Sequence, residues 1–169
     1  LLVQGDDKVA PKKDIQLVLA PGGSLGGARP KATVRDRGKL HIAKFPWVRD
    51  EWPVIQWEAA LLELAAAAGV TTPPARLERV GTKPVLLMDR FDREGSDVRV
   101  PFMSAMTALD AKDHSEDRSY IEILDVIRQF GAFPKEDARQ LWRRMAFNVL
   151  VSNTDDHLRN HGFLWAGEG

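Results

Sequence analysis

A polar octapeptide, Asn153-Thr154-Asp155-Asp156-His157-Leu158-Arg159-Asn160, separates two apolar stretches and sets the terms for the rest of the chain. Before it, Leu141 to Val151 is largely apolar and long enough for a buried helix. After it, the chain turns apolar again at Phe163-Leu164-Trp165. An aspartate followed five positions later by an asparagine, on a loop leaving a buried helix, has the spacing of a phosphoryl-transfer catalytic loop. There the carboxylate takes the proton of an attacking hydroxyl and the amide oxygen holds a magnesium ion. Here the pair is Asp155 and Asn160. A capped surface turn is the competing reading, because Asn and Asp bond their own backbone in turns.

The 169 residues suit one domain or two small lobes. Lysine and arginine balance aspartate and glutamate at 24 each, so no global field recruits nucleic acid or an anionic membrane. Without cysteine, disulfides and thiolate zinc sites are excluded. Leu1-Leu2-Val3 is soon followed by charges and lacks the apolar core expected of a signal peptide, and no apolar run approaches membrane-spanning length. These features predict a soluble, cytoplasmic protein. The leucine start and the turn-forming end, Ala166-Gly167-Glu168-Gly169, lead us to expect a piece of a longer chain.

In chain order, Ile15 to Leu19 reads as a strand. A loop with Gly22, Gly23, Gly26 and Gly27 follows it, with the backbone freedom to bring amides against phosphate oxygens. Gly22 and Gly27 have P-loop spacing, but Ala28 stands where that motif needs lysine. Strands are expected at Ala32–Arg35 and at Leu40–Phe45, around a turn at Asp36-Arg37-Gly38-Lys39. In the second of these the two-residue period puts Lys44 in line with Leu40 and Ile42. A helix is predicted from Pro53 to Ala68, stopped by Gly69, with an apolar stripe of Val54, Leu61, Leu62, Ala65 and Ala68 on which Glu58 also falls. A carboxylate on such a stripe needs a partner, and so does an ammonium in an apolar row. Lys44 and Glu58 can each answer the other, as the strand lysine and helix glutamate do in kinases. A snorkelling lysine at a strand end is the alternative. Arg76–Val80 and Pro84–Phe91 read as two further strands, the latter apolar on both faces as in a central strand. Helical signals prevail from Met103, at Ser104–Leu109, Tyr120–Phe130 and Pro134–Ser152. The switch places a lobe boundary near residues 89 to 93. An adenine pocket there would use the backbone around Met88, Asp89 and Phe91.

The order of these features resembles the HipA-type serine/threonine kinases, toxins of bacterial type II toxin–antitoxin systems. The resemblance is carried by Ser24-Leu25-Gly26-Gly27-Ala28-Arg29-Pro30-Lys31, His41-Ile42-Ala43-Lys44-Phe45-Pro46, Arg90-Phe91-Asp92-Arg93 and, above all, Val151 to His161. It implies an α+β, protein-kinase-like fold, incomplete at both ends. A strand-rich part (1–92) would precede a helical part (93–169), with the active site at their junction. It implies ATP and magnesium as cofactors, with Lys44 gripping phosphates and Glu58 setting that lysine for catalysis, Gly26 and Gly27 in the nucleotide loop and Asp155 as base. Asn160 would be a metal ligand, His157 would buttress the site beside the nucleotide, and Ser24 would be autophosphorylated. A second magnesium aspartate is expected after a further strand, beyond Gly169. Partners implied are a small DNA-binding antitoxin, similar to HipB, and a protein substrate such as an aminoacyl-tRNA synthetase, with no direct nucleic acid and no membrane. Two other functions stand beside this one: a kinase-like interaction module without catalysis, and a metal-dependent hydrolase built on Asp155, Asp156, His157 and His161.

Overall fold

The computed structural model describes residues 10–11, 29–95, 98–112 and 118–167. Ser24, Gly26, Gly27 and the strand expected at Ile15–Leu19 lie outside them. The backbone forms two compact units. One holds the described residues as far as Leu64 together with Thr72–Arg99; the other joins Ala65–Thr71 to the residues from Val100 onward.

The first unit is a five-stranded sheet in the order β1-β2-β3-β5-β4, made of β1 (Ala10–Pro11), β2 (Lys31–Asp36), β3 (Lys39–Lys44), β4 (Ala75–Val80) and β5 (Lys83–Asp89). β1 runs parallel to β2, and the other pairs are antiparallel. Arg37 and Gly38, at φ 49° and 80°, make a two-residue hairpin loop between Asp36 and Lys39, where both positions need positive φ. That tight loop fixes the register that faces Lys44 with Lys31 on one side and Leu86 on the other. As expected, β5 is internal, and Val85, Leu86 and Leu87 are all buried. Arg93–Glu94 (β6) and Val98–Arg99 (β7) form a small antiparallel ribbon that the sequence reading did not anticipate.

Two details correct that reading. The fully buried face of β3 carries His41 and Ala43, with Phe45 following, and packs with Val34, Val85 and Leu87. Leu40, Ile42 and Lys44 lie on the half-buried face instead. Lys44 therefore avoids the dry core, and its charge is cheaper to hold. In helix α1 (Val54–Ala67) the buried positions are Ile55 and Ala65, with Val54, Glu58, Ala59, Leu61 and Leu62 half-buried, whereas Ala68, past its end, is exposed. The expected stripe holds from Val54 to Ala65, Glu58 included, is widened by Ile55 and Ala59, and fails at Ala68.

The second unit packs α2 (Ala105–Ala108), α3 (Tyr120–Phe130) and α4 (Pro134–Leu150) around Ala105, Ile123, Ile127 and Leu141. α3 has an acidic cap, with Glu122 accepting the Ser119 N–H at 2.9 Å, and α4 starts on Pro134. The expectation of a wholly helical part is corrected by a ribbon, β8 (Phe102–Ser104) with β9 (Gly162–Leu164). There the Phe102 ring lies so close over Gly162 that a Cβ would come within 2.2 Å of it. The apolar run ahead of the octapeptide is not buried throughout either: Leu141 is, but Val149 and Leu150 are 74% and 82% exposed.

Candidate functional site

In the first unit, the Lys44 Nζ forms an ion pair with Glu58 Oε1, both side chains being about three-quarters screened from solvent. The strand brings the ammonium to the half-buried face, and the second turn of α1 brings the carboxylate. An ammonium held this way keeps two further N–H donors for an anion. Lys31, directly across the β2–β3 ladder, puts a second ammonium on the same face. Like charges opposed in a sheet are unfavourable unless an anion is shared between them. Arg29, at the exit of the glycine-rich stretch, donates to Asp50 Oδ1 at 2.5 Å. The Trp47 N–H, and after it Arg29, hold the Asp50 carboxyl below its ordinary range.

The expected adenine segment ends β5. The Asp89 N–H donates to the Pro74 carbonyl at 2.8 Å and the Arg90 N–H to the Leu40 carbonyl at 3.2 Å. Two of its amides are therefore spent in the sheet. Asp89 also lies 3.0 Å from Nδ1 of the buried His41, without the alignment of a hydrogen bond. Phe91 is exposed. Behind this segment Asp92 is gripped by Arg90, through Nε at 2.8 Å and Nη2 at 2.6 Å, and by Arg93 at 2.6 Å. Arg90 reaches on to the Thr33 hydroxyl at 3.2 Å. The Arg90 bonds hold the Asp92 carboxyl below its usual range, and the same bonds push Arg90 up. The Arg-Phe-Asp-Arg motif thus ties the end of β5 to β2.

In the second unit, Ser152 takes φ 55° to end α4, and the Asn153 N–H reaches the Asn148 carbonyl at 2.9 Å. The two consecutive aspartates that follow have opposite surroundings. Asp155 is 93% exposed; Asp156 is 11% exposed. The Asp156 carboxylate accepts from the Tyr120 hydroxyl and from Asn148 Nδ2 at 2.8 Å, and His161 Nε2 lies 3.0 Å from each of its oxygens. The Tyr120 and His161 rings meet edge to face at 5.5 Å. Burial first, and then the Asp156 bond, push the Tyr120 hydroxyl up. Burial pulls Arg144 down, with Asp156 opposing. Arg144 donates to the Thr71 carbonyl at 2.6 Å.

Asn160 closes the loop. Its Nδ2 donates to the Asp155 carbonyl at 2.7 Å and its N–H to the His157 carbonyl at 2.8 Å, in a single 3₁₀ turn over Leu158–Asn160. With its nitrogen committed to the loop, the amide oxygen faces away from that bond, free to meet a cation. An amide oxygen is a hard donor of the kind magnesium accepts, so the chemistry of Asn160 fits the ion. His157 is partly exposed, with Nε2 3.9 Å from Asp155 Oδ1. Among the described residues no three His, Cys, Asp or Glu side chains gather to hold a metal. The four residues of the hydrolase alternative diverge, because Asp156 and His161 turn inward toward each other.

Sequence reasoning missed Tyr120, Asn148, Arg144 and the inward pairing of Asp156 with His161. One signal was present: Asn148 is the lone polar residue between Met145 and Val151.

Comparison with known proteins bears on both units. The family model described as HipA-like C-terminal domain matches residues 23–169. A provisionally named kinase of Sinorhizobium fredii, Y4mE, is 26% identical over 140 residues, which are 78% of this chain and 32% of that protein. The chain therefore spans about a third of this relative's length. Among solved structures, HipA of Shewanella oneidensis, in a complex with HipB and operator DNA, superposes with a TM-score of 0.70 at 21% identity, covering 86% of this chain and 41% of HipA. The Helicobacter pylori proinflammatory kinase CtkA superposes at 0.67 and 20% identity, covering 89% and 53%. At these identities the two structures speak for the fold, which is α+β and kinase-like.

Proposed function

Because the chain belongs to the HipA-like C-terminal domain family, we propose that it supplies nucleotide- and base-bearing parts of an ATP-dependent serine/threonine protein kinase. The observation that carries this reading is the Lys44–Glu58 ion pair. An oriented ammonium on a half-buried face, with Lys31 beside it, suits the phosphates of ATP. Met88, Asp89 and Phe91 would border the adenine. With the Asp89 and Arg90 N–H groups occupied, carbonyl oxygens of the segment would meet the adenine amine. The solvent-facing Asp155 would take the proton from the acceptor hydroxyl as its oxygen attacks the γ-phosphorus and the bond to the β-phosphate oxygen breaks. Asn160 would present its amide oxygen to magnesium, which when bound neutralises charge on the phosphates. His157, within 4 Å of Asp155, would steady that carboxylate near the nucleotide.

The acceptors proposed are a protein hydroxyl, with an aminoacyl-tRNA synthetase as the candidate the family brings, and Ser24 of the chain itself. Gly26 and Gly27 would let that loop close over phosphates and release them once Ser24 is charged. A small DNA-binding antitoxin, similar to HipB, is the proposed partner, since the Shewanella relative is complexed with HipB and operator DNA. A cytoplasmic location suits a kinase that draws on ATP, and no helix among the described residues is long and apolar enough to cross a membrane.

The test is phosphate transfer from γ-labelled ATP by the protein as its gene encodes it. Label should appear on the protein with magnesium, disappear in Asp155→Ala, and lose its autophosphorylation share in Ser24→Ala. A protein that binds Mg-ATP without transferring phosphate would instead be an interaction module.

A further inference from the structure

We propose that Asp156 and His161 form a clasp that sets the spacing of Asp155 and Asn160 and thereby tunes the site's affinity for magnesium; this deepens the kinase reading and rests on it. Each member of the clasp follows one residue after a member of the functional pair. Asp156 and His161 are about nine-tenths buried, whereas their predecessors Asp155 and Asn160 are exposed. Asp155 and Asp156 lie on irregular backbone and His161 turns extended where the 3₁₀ turn ends at Asn160, so pinning residues 156 and 161 inward leaves residues 155 and 160 facing outward. The clasp and the functional pair share the same five-residue separation. The distance of His161 Nε2 from both Asp156 oxygens, 3.0 Å, joins the two ends of the loop.

Other elements hold each end independently. Tyr120 from α3 and Asn148 from α4 bond the Asp156 carboxylate, and the His161 carbonyl accepts the Ala105 N–H at 2.9 Å. Leu158, inside the clasp, packs against the helical core. Removing the His161 ring therefore leaves Asp156 on two donors and Asp155 facing outward. What is lost is the side-chain tie between Asp156 and the Asn160 end, whose backbone stays anchored through the His161 carbonyl and Leu158, so that the aim of the proposed metal ligand loosens while the loop keeps its place. The clasp acts on magnesium through Asn160, and His161 is a positioning residue.

The experiment compares His161→Ala, His161→Asn and His161→Gln in the protein as encoded. The glutamine amide nitrogen can reach where Nε2 stands; the asparagine amide falls short of it. Magnesium is titrated calorimetrically into protein saturated with a non-hydrolysable ATP analogue, and kcat is measured against magnesium concentration. Removal of an outer-shell partner costs roughly 10- to 100-fold in metal affinity. We expect His161→Ala and His161→Asn to weaken magnesium binding by about tenfold and to keep most of kcat at saturating magnesium. His161→Gln should recover most of the affinity, and exchange of the Asn160 N–H should quicken in the first two variants only. Should His161→Ala fail to fold, the Asn and Gln variants carry the same contrast. If the wild type uses Mg-ATP but the magnesium dependence is unmoved in His161→Asn, or falls equally in Asn and Gln, the clasp is overturned and the kinase reading stands. A wild type that neither binds nor uses Mg-ATP overturns both.

Discussion

The two halves of the candidate chemistry are held in place by different means. In the sheet unit, Lys44 owes its position to backbone register: a two-residue hairpin fixes β2 against β3, and a single ion pair to α1 finishes the alignment. In the helical unit, the loop carrying Asp155 has almost no ladder to lean on. Its shape comes from side chains reaching in from 36 and 8 residues away, Tyr120 and Asn148, onto one buried carboxylate. Register is robust to changes of side chain, because the ladder bonds belong to the backbone. A side-chain hub is not, since each donor removed leaves a buried carboxylate less satisfied. Substitutions should thus separate function from stability in the sheet and strike both at the hub that shapes the loop.

The largest expected effect is on transfer. Asp155→Ala removes the proposed base, and general-base catalysis is worth about 10²–10⁴-fold, so phosphate transfer should fall by that order. Asp155 is nearly fully exposed, and among the described residues its carboxylate has one charged neighbour, His157 at 3.9 Å. Its thermal stability should stay at the wild-type value, which a melting curve beside the transfer assay would check. A hub residue should behave differently. Asn148→Ala deletes a bond to the Asp156 carboxylate and the 3.2 Å bond from Asn153 Nδ2. Bonds to charged groups contribute about 1.5–3 kcal/mol each, so chemical denaturation should show a loss of about 2–3 kcal/mol, accompanied by lower activity.

This contrast also explains what the sequence disclosed. Strand and helix periodicity exposed Lys44 and Glu58, because register and the 3.6-residue turn are local rules that any window of residues obeys. The same rules placed Asp155 and Asn160 on a loop and marked β5 as internal. They did not reveal which face of β3 is dry, since both faces carry apolar residues and the answer depends on Val34 and Leu87 from neighbouring strands. Nor could they show that Asp156 turns inward while Asp155 turns outward. That choice is made by Tyr120 and Asn148, whose relation to the loop has no period. The β8–β9 ribbon was hidden for a similar reason: each strand has three residues, and its partner lies some sixty positions away.

A smaller effect is expected in acid. The Arg90 bonds, joined by the charge of Arg93, lower the folded-state pKa of Asp92 from its ordinary value of 3.8. The folded state then binds fewer protons than the unfolded one wherever Asp92 is partly titrated, so stability rises with pH there. The contribution is complete above the unfolded value and is lost as pH falls through the folded one. Asp92→Asn should be less stable than wild type at neutral pH. The gap should narrow steadily below about pH 4, as denaturation midpoints over an acid series would show. A constant gap would mean that Asp92 serves by shape rather than by charge.

The smallest expected effect sharpens the comparison most. Glu58→Gln removes the charge that orients Lys44, yet the side chain stays half-buried on α1 and the glutamine oxygen can still accept from Nζ. Both side chains still reach solvent over about a quarter of their surface, and ion pairs near the surface contribute about 0–1 kcal/mol. Register already holds β3, so stability should change by less than about 1 kcal/mol, within the scatter of a denaturation experiment. Lys44 would be less firmly aimed at phosphate, and the KM for ATP should rise. A stability loss as large as that of Asn148→Ala would show that the ion pair, and not the ladder, fixes this part of the sheet unit. The distinction drawn between its register and the loop's hub would then fail.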